Sequence, residues 1–257
     1  MTAMFRLDRC VLVFCFGLLA GCGRPLDPDS TRVFVDAERT FSQAKTPEEF
    51  LKAAAMDQEI LDRGYVSGAV LYNQGNALMR AGQRGRAIAA YRRAQRYLGP
   101  DLSLEASLTY ALGESPAARR RPVIEHLLFW QDWISYPAKF HWAALAVAVT
   151  FLLGVSLLLV SMRLLIRLTI LSLGIALLLI LSAAYDWYRF EWNIHGVIVE
   201  KRSIVRKGNA ESYEPALTAP LDEGTEFEVI ERRGEWLAVR LPGDQEGWVA
   251  EKAAVVF

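Results

Sequence analysis

The stretch WAALAVAVTFLLGVSLLLVSMRLLIRLTILSLGIALLLILSAAY, residues 142–185, decides the architecture of this chain. It is apolar almost throughout, and its only charges are Arg163 and Arg167. A single helix of that length would run about 66 Å, roughly twice the hydrocarbon core of a bilayer. The segment is therefore expected to fold back as a transmembrane helical hairpin, with one helix near residues 142–162 and another near 164–185. The two arginines mark the reversal. Positive residues in short loops favour the cytoplasmic side, so the turn is expected inside and both ends of the hairpin outside. Trp130, Trp133, Tyr136, Phe140 and Trp142 precede the hairpin, and Tyr185, Trp187, Tyr188, Phe190 and Trp192 follow it. Amphipathic rings of this kind form interfacial belts. The triplet Arg119, Arg120 and Arg121 favours the opposite orientation but stands about twenty residues before the first span, at the edge of the range in which charge counts.

Outward from the hairpin, the composition excludes several classes. Acidic and basic residues balance at 29 each in 257 residues, without the basic excess of a nucleic-acid binder. Cys10, Cys15 and Cys22 all fall in the first 22 residues, leaving none downstream to form a disulfide or ligate zinc. His126, His141 and His195 are scattered, with no ligand partner at metal spacing. No metal and no cofactor is implied. Residues 1–20 carry Arg6 and Arg9 and then an apolar run of about ten residues, too short to span a bilayer, which reads as a signal peptide. The run ends in Leu19-Ala20-Gly21-Cys22. That ending resembles the lipobox of bacterial lipoproteins, which makes Cys22 the expected lipidation site at the end of segment 1–22.

Segment 23–45 is expected to hold a tether and the start of a helical region, which then occupies residues 46–112. Thr46 caps, Pro47 suits the first helical position and Glu49 completes a capping box, so a helix is expected from there to about Asp62. A pair follows near residues 67–81 and 84–97, broken by Gly82 and stopped by Gly99-Pro100. Leu71, Gly75 and Leu78 form a stripe on the first helix of that pair, and Ala87, Tyr91 and Ala94 form one on the second. Their spacing resembles the tetratricopeptide-repeat (TPR) consensus. Ala53 precedes Ala87 by 34 residues, one repeat period, which places Asp57 where the consensus has an aromatic residue. Residues 102–112 supply a capping helix. So few repeats call for packing on a partner or on the membrane. Arg84, Arg86, Arg92 and Arg93 give the repeat a basic face, read either as a solvated surface or as a docking surface for an acidic segment.

Residues 113–141 read as a linker and interfacial segment, and residues 194–257 as a second exported region. There the pattern becomes short alternating runs at 197–200, 203–206, 226–231, 236–241 and 247–249, with turns at Arg233-Gly234 and Pro242-Gly243. The string from Gly224 to Val229, then Trp236, Val239, Gly243 and Gly247-Trp248-Val249, resembles bacterial SH3 domains. Phe227, Val229, Leu237 and Val239 alternate toward a core. Trp236 and Trp248 are candidates for the rim of a peptide groove. Asp222, Glu223, Glu226, Glu228, Glu231 and Glu235 make this region acidic and suit it to basic partners.

The expected fold class is thus a multi-domain membrane protein with α-helical TPR hairpins, a transmembrane hairpin and a small all-β SH3-like barrel. No P-loop, dinucleotide glycine pattern, nucleophile elbow or zinc-protease helix occurs, which points away from an enzyme. The order of parts, and the strings Tyr72-Asn73-Gln74-Gly75-Asn76-Ala77 and Gly85 through Ala94, resemble the E-type Bat (Bacteroides aerotolerance) proteins. That resemblance implies a bacterial inner-membrane adaptor with TPR and SH3-like regions on the outer face. Its implied partners are von Willebrand factor A membrane proteins, in a stress-tolerance setting. Gly154 and Gly174 offer close approach to partner spans. The alternative is an envelope tether whose SH3-like domain holds cell-wall peptide.

Overall fold

The computed structural model describes residues 27–113, 131–160 and 162–257. The export segment with Cys22, the first residues of the tether, the arginine triplet at 119–121, His126 and Trp130 lie outside the described residues. The chain divides into two compact units. One unites the N-terminal helices with the C-terminal sheet, and the other is the apolar helix pair.

In the first unit, helix α1 (Pro28–Gln43) begins within the expected tether. Asp27 caps it by accepting from the Ser30 amide, and Pro28 stands where no intrahelical N–H is needed. Helix α2 (Pro47–Asp62) carries the full Thr46–Glu49 capping box. Helices α3 (Gly68–Arg80), α4 (Arg84–Gln95) and α5 (Leu102–Leu112) complete an antiparallel stack in which successive helices are neighbours. Glycine sets the closest helix approach: a Cβ at Gly75 would lie 2.5 Å from the Tyr91 ring. Leu71, Leu78, Ala87, Tyr91 and Ala94 are buried with it in one core.

The sheet is antiparallel, in the order β4-β3-β2-β1-β5. Its strands are β1 (His195–Ile198), β2 (Glu226–Arg233), β3 (Trp236–Leu241), β4 (Gln245–Ala250) and β5 (Ala254–Val256). Both expected turns occur, with Gly234 and Gly243 at positive φ. Phe227, Leu237 and Val239 are buried in the sheet's own core, with Val229 packed beside them.

The expected closed barrel is not present: β4 and β5 are the two ends of the sheet and do not pair. The outer edge of β4 is met by Arg206, which exchanges two 2.8 Å backbone hydrogen bonds with Trp248, and β5 is only three residues long. The strand expected at 203–206 reduces to isolated bridges, Ser203 to Leu221 and Arg206 to Pro215 and Trp248. A backbone turning through Arg202 at φ 65° cannot sustain a regular ladder there.

The second unit is a hairpin of α6 (Tyr136–Leu159) and α7 (Arg163–Trp187), the latter continued by a π-helical turn (Tyr188–Trp192). The first helix starts six residues before the expected 142, because Ser135-Tyr136-Pro137 opens it with proline in its first turn. Helix α6 ends at Leu159 and α7 begins at Arg163, so Arg163 and Arg167 sit in the first turns of α7 rather than between the helices. Both helices are long and apolar enough to cross a membrane. At about 1.5 Å per residue, the 24 residues of α6 span roughly 36 Å.

Candidate functional site

Alternation along β1 builds the junction between helices and sheet. Successive strand side chains point to opposite faces, and here Val197 belongs to the helical core while Ile198 belongs to the sheet core. On β5, Val255 and then Phe257 follow the same phase toward the helices, whereas Ala254 turns to the sheet. Helix α4 reaches β1 through Gly85, where any Cβ would run into the Ile198 carbonyl oxygen. Gly85 stands in the first turn of α4, where the low helix propensity of glycine costs less than the roughly 1 kcal/mol of a helix interior. The close approach to backbone explains its presence.

Charge completes the junction. Arg92 grips Glu226 with both arms of its guanidinium, Nε to Oε1 at 2.7 Å and Nη2 to Oε2 at 2.8 Å, in a partly buried setting. Paired parallel bonds of this kind are the stronger form of ion pair. Glu223 accepts from the Gly85 amide at 2.9 Å, satisfying one of the free N–H groups of the first turn of α4. Arg84 donates to the terminal carbonyls of α5, Nε to Ala111 at 2.5 Å and Nη2 to Leu112 at 2.8 Å. Of the four arginines expected to form a docking face, Arg84 and Arg92 are therefore engaged inside the chain. Arg86 is exposed beside Gln83, to whose side chain it donates, and Arg93 is partly exposed. The acidic segment that meets the basic face is this chain's own hairpin.

Trp236 and Trp248 share one face, since Ala238 stands opposite Trp248 and Trp236 opposite Ala250. Arg233 covers the Trp248 ring, its guanidinium carbon 5.4 Å from the centroid. Trp236 borders a cleft with Ala210, Glu211, Glu235, Glu251 and Lys252.

Two sites were not anticipated. In the apolar hairpin, Lys139 Nζ donates to Asp186 Oδ2 at 2.5 Å, both side chains at most 5% exposed. Gln131 donates to Asp186 Oδ1 and to the Ser182 carbonyl, and accepts from the Ser182 hydroxyl. Opposite charges at the outer ends of two apolar runs were the available signal. A network with its members partnered holds two spans together without leaving a bare charge in an apolar setting. Gly154 and Gly174 take no part in that contact, since a Cβ at either meets nothing within 4 Å.

The other site surrounds Asp57. A cavity of about 240 Å³ is walled by Ala37, Glu38 and Phe41 from α1, Asp57 from α2, and Asn73 and Asn76 from α3. Asp57 is 2% exposed, and its Oδ1 has no hydrogen-bond partner among the described residues. Burial, and secondarily the charge of Glu38, push its pKa from 3.8 up to about 7.

The fold defines a chain in which a unit of helical hairpins and antiparallel sheet accompanies a pair of helices long and apolar enough to span a membrane. Comparison with protein-family models, curated proteins and solved structures finds no match to it.

Proposed function

We propose that the chain is a non-enzymatic, membrane-anchored interaction scaffold. The observation that carries this reading is the seam of Val197, Gly85, Glu223 and Arg92–Glu226. It joins the helical stack and the sheet into one body, in a chain that also carries two membrane-length helices. A rigid compound surface tied to a bilayer suits holding partners in register better than performing chemistry. The helical hairpins fit a short TPR array, and the sheet fits an open variant of the SH3-like fold. The positive charges at the start of α7 favour a cytoplasmic turn, which supports an outer-face location for the compound unit at a bacterial inner membrane. By the resemblance to E-type Bat proteins, the partners are von Willebrand factor A membrane proteins, in a stress-tolerance assembly.

A second reading rests on the cleft beside Trp236, whose acidic rim of Glu211, Glu235 and Glu251 suits a basic cell-wall peptide. Photo-crosslinkers at Arg86 and Trp236 in membranes distinguish the two. Capture of von Willebrand factor A membrane proteins supports the scaffold. Capture of wall peptide alone, at Trp236, replaces it with the envelope tether.

A further inference from the structure

The cavity beside Asp57 is unexplained by the seam or by the membrane helices. Position 57 stands 34 residues before Tyr91, and the two positions are filled by opposite means. The Tyr91 ring closes the space beside Gly75, and its hydroxyl donates to Asn76 Oδ1 at 2.9 Å. Asp57 instead presents a buried oxygen without a partner to a space that reaches α1 and α3.

An uncompensated buried carboxylate is relieved in one of two ways: it takes a proton, or it takes a cation. Burial holds this group near its midpoint at neutral pH, so either outcome is within reach. The rest of the wall selects the cation. Helix α1 adds Glu38 and the Phe41 ring, and α3 adds only the neutral amides of Asn73 and Asn76. Among the described residues no cationic side chain lines the cavity. Two carboxylates repel an anion, and an apolar group would leave Asp57 as it was. Among the described residues no group of three or more His, Cys, Asp or Glu side chains gathers to hold a metal ion, and calcium or magnesium on two carboxylates would have to complete six or more oxygen ligands largely from water.

Building on the scaffold reading, we propose that this cavity is a recognition pocket for one organic cation, the ammonium or guanidinium head of a lysine or arginine side chain on a partner polypeptide. Such a head group donates several N–H bonds at once. Asp57 Oδ1, the Glu38 carboxylate and the Asn73 amide oxygen accept them, while the Phe41 ring offers its face to the charge. The apolar stem of the side chain runs out past Ala37. Binding draws the proton off Asp57, so affinity rises with pH through the range in which that group titrates.

The test uses the full chain in nanodiscs and short glycine–serine peptides bearing one central lysine, arginine or norleucine, followed by fluorescence anisotropy. Lysine and arginine peptides are expected to bind, the norleucine peptide not, with affinity rising about tenfold between pH 6 and pH 8. Asp57→Asn is expected to weaken binding at least tenfold and Glu48→Gln, at an exposed carboxylate outside the cavity, to leave it unchanged. Asp57→Phe, which fills the slot with a ring, is expected to abolish binding while circular dichroism shows the helices intact. Equal binding of the norleucine peptide overturns the proposal, as does undiminished binding by folded Asp57→Asn and Asp57→Phe. Methylammonium binding as tightly as the lysine peptide overturns the polypeptide assignment and identifies a small-amine site. Absence of lysine- and arginine-peptide binding by the unsubstituted chain, with the Arg86 crosslinks retained, rejects this pocket and leaves the scaffold standing.

Discussion

The hairpins α1/α2 and α3/α4 place different residues at positions one 34-residue period apart, and the difference separates stability from recognition. In α3/α4 the ring of Tyr91, 2% exposed, lies against the bare Cα of Gly75, and its one polar atom is bonded to Asn76. Burial, and secondarily Tyr72, push the pKa of that hydroxyl well above the ordinary tyrosine range, so it stays a neutral donor at every physiological pH. In α1/α2 the same step along the helix carries Asp57, equally buried, with an unpartnered oxygen and a cavity beside it. A filled slot contributes packing. An open one retains polarity that only a ligand or a proton can satisfy.

The comparison breaks most severely if the filled slot is emptied. Tyr91→Ala is expected to cost roughly 3–5 kcal/mol, the range for loss of a large buried ring, and to lower the thermal midpoint of the full chain accordingly. A cost near zero would mean that α3/α4 is no tighter than its neighbour.

The next effect sharpens the contrast through pH. Asp57 keeps its proton in the folded chain up to about pH 7, whereas the unfolded chain releases it near 3.8. Between those values the folded state binds more protons, so the Asp57 contribution to stability is complete below about pH 4. It falls as pH rises to about 7 and stays low above that. The loss is at most about 4 kcal/mol. Asp57→Asn removes this slope, so the stability difference between variant and parent should move in favour of the variant from pH 4 to pH 8. Parallel pH profiles from urea unfolding would show that the buried carboxylate is not titrating as described.

The smallest effect concerns what α3/α4 has and α1/α2 lacks, the sheet docked on its second helix. Gly85→Ala places a methyl group against the Ile198 carbonyl, which backbone cannot easily vacate. A net cost of about 1–3 kcal/mol is expected, with faster hydrogen exchange in β1 and α4 and not in α1 or α2. Alanine's higher helix propensity works against that cost, which makes a destabilised result more informative.

Local signals made most elements legible. The Thr46-Pro47-Glu49 box set the start of α2, and Gly82 set the break between α3 and α4. The apolar run of 142–185 foretold a hairpin, and the Gly234 and Gly243 turns foretold β2, β3 and β4. Where the helical region begins within 23–45 was not legible, because the Pro- and Asp-rich opening of α1 resembles a tether, although Asp27 and Pro28 are also a cap and a first helical residue. The short strand β5 has no turn signal of its own, and its place beside β1 depends on residues about sixty positions away. The Lys139–Asp186 pair left only one signal, opposite charges at the outer ends of two apolar runs, because its partners are separated by 47 residues and only the hairpin brings them together.

What the sequence by itself determined is the kind of each segment: caps, breaks and periodicity act over a few residues and need no distant partner. It also displayed the charges that matter, a basic helix and an acidic hairpin, and marked Asp57 as foreign to its position. The tertiary structure decided whom those groups serve. Arg92 reads as a free docking residue until Glu226 is found against it, 134 positions along the chain. Asp57 reads only as a carboxylate in the place of an aromatic residue until three helices close around it. Pairing and burial depend on the separation of atoms in space, and that separation is set by the packing of whole elements rather than by the order of residues within any one of them.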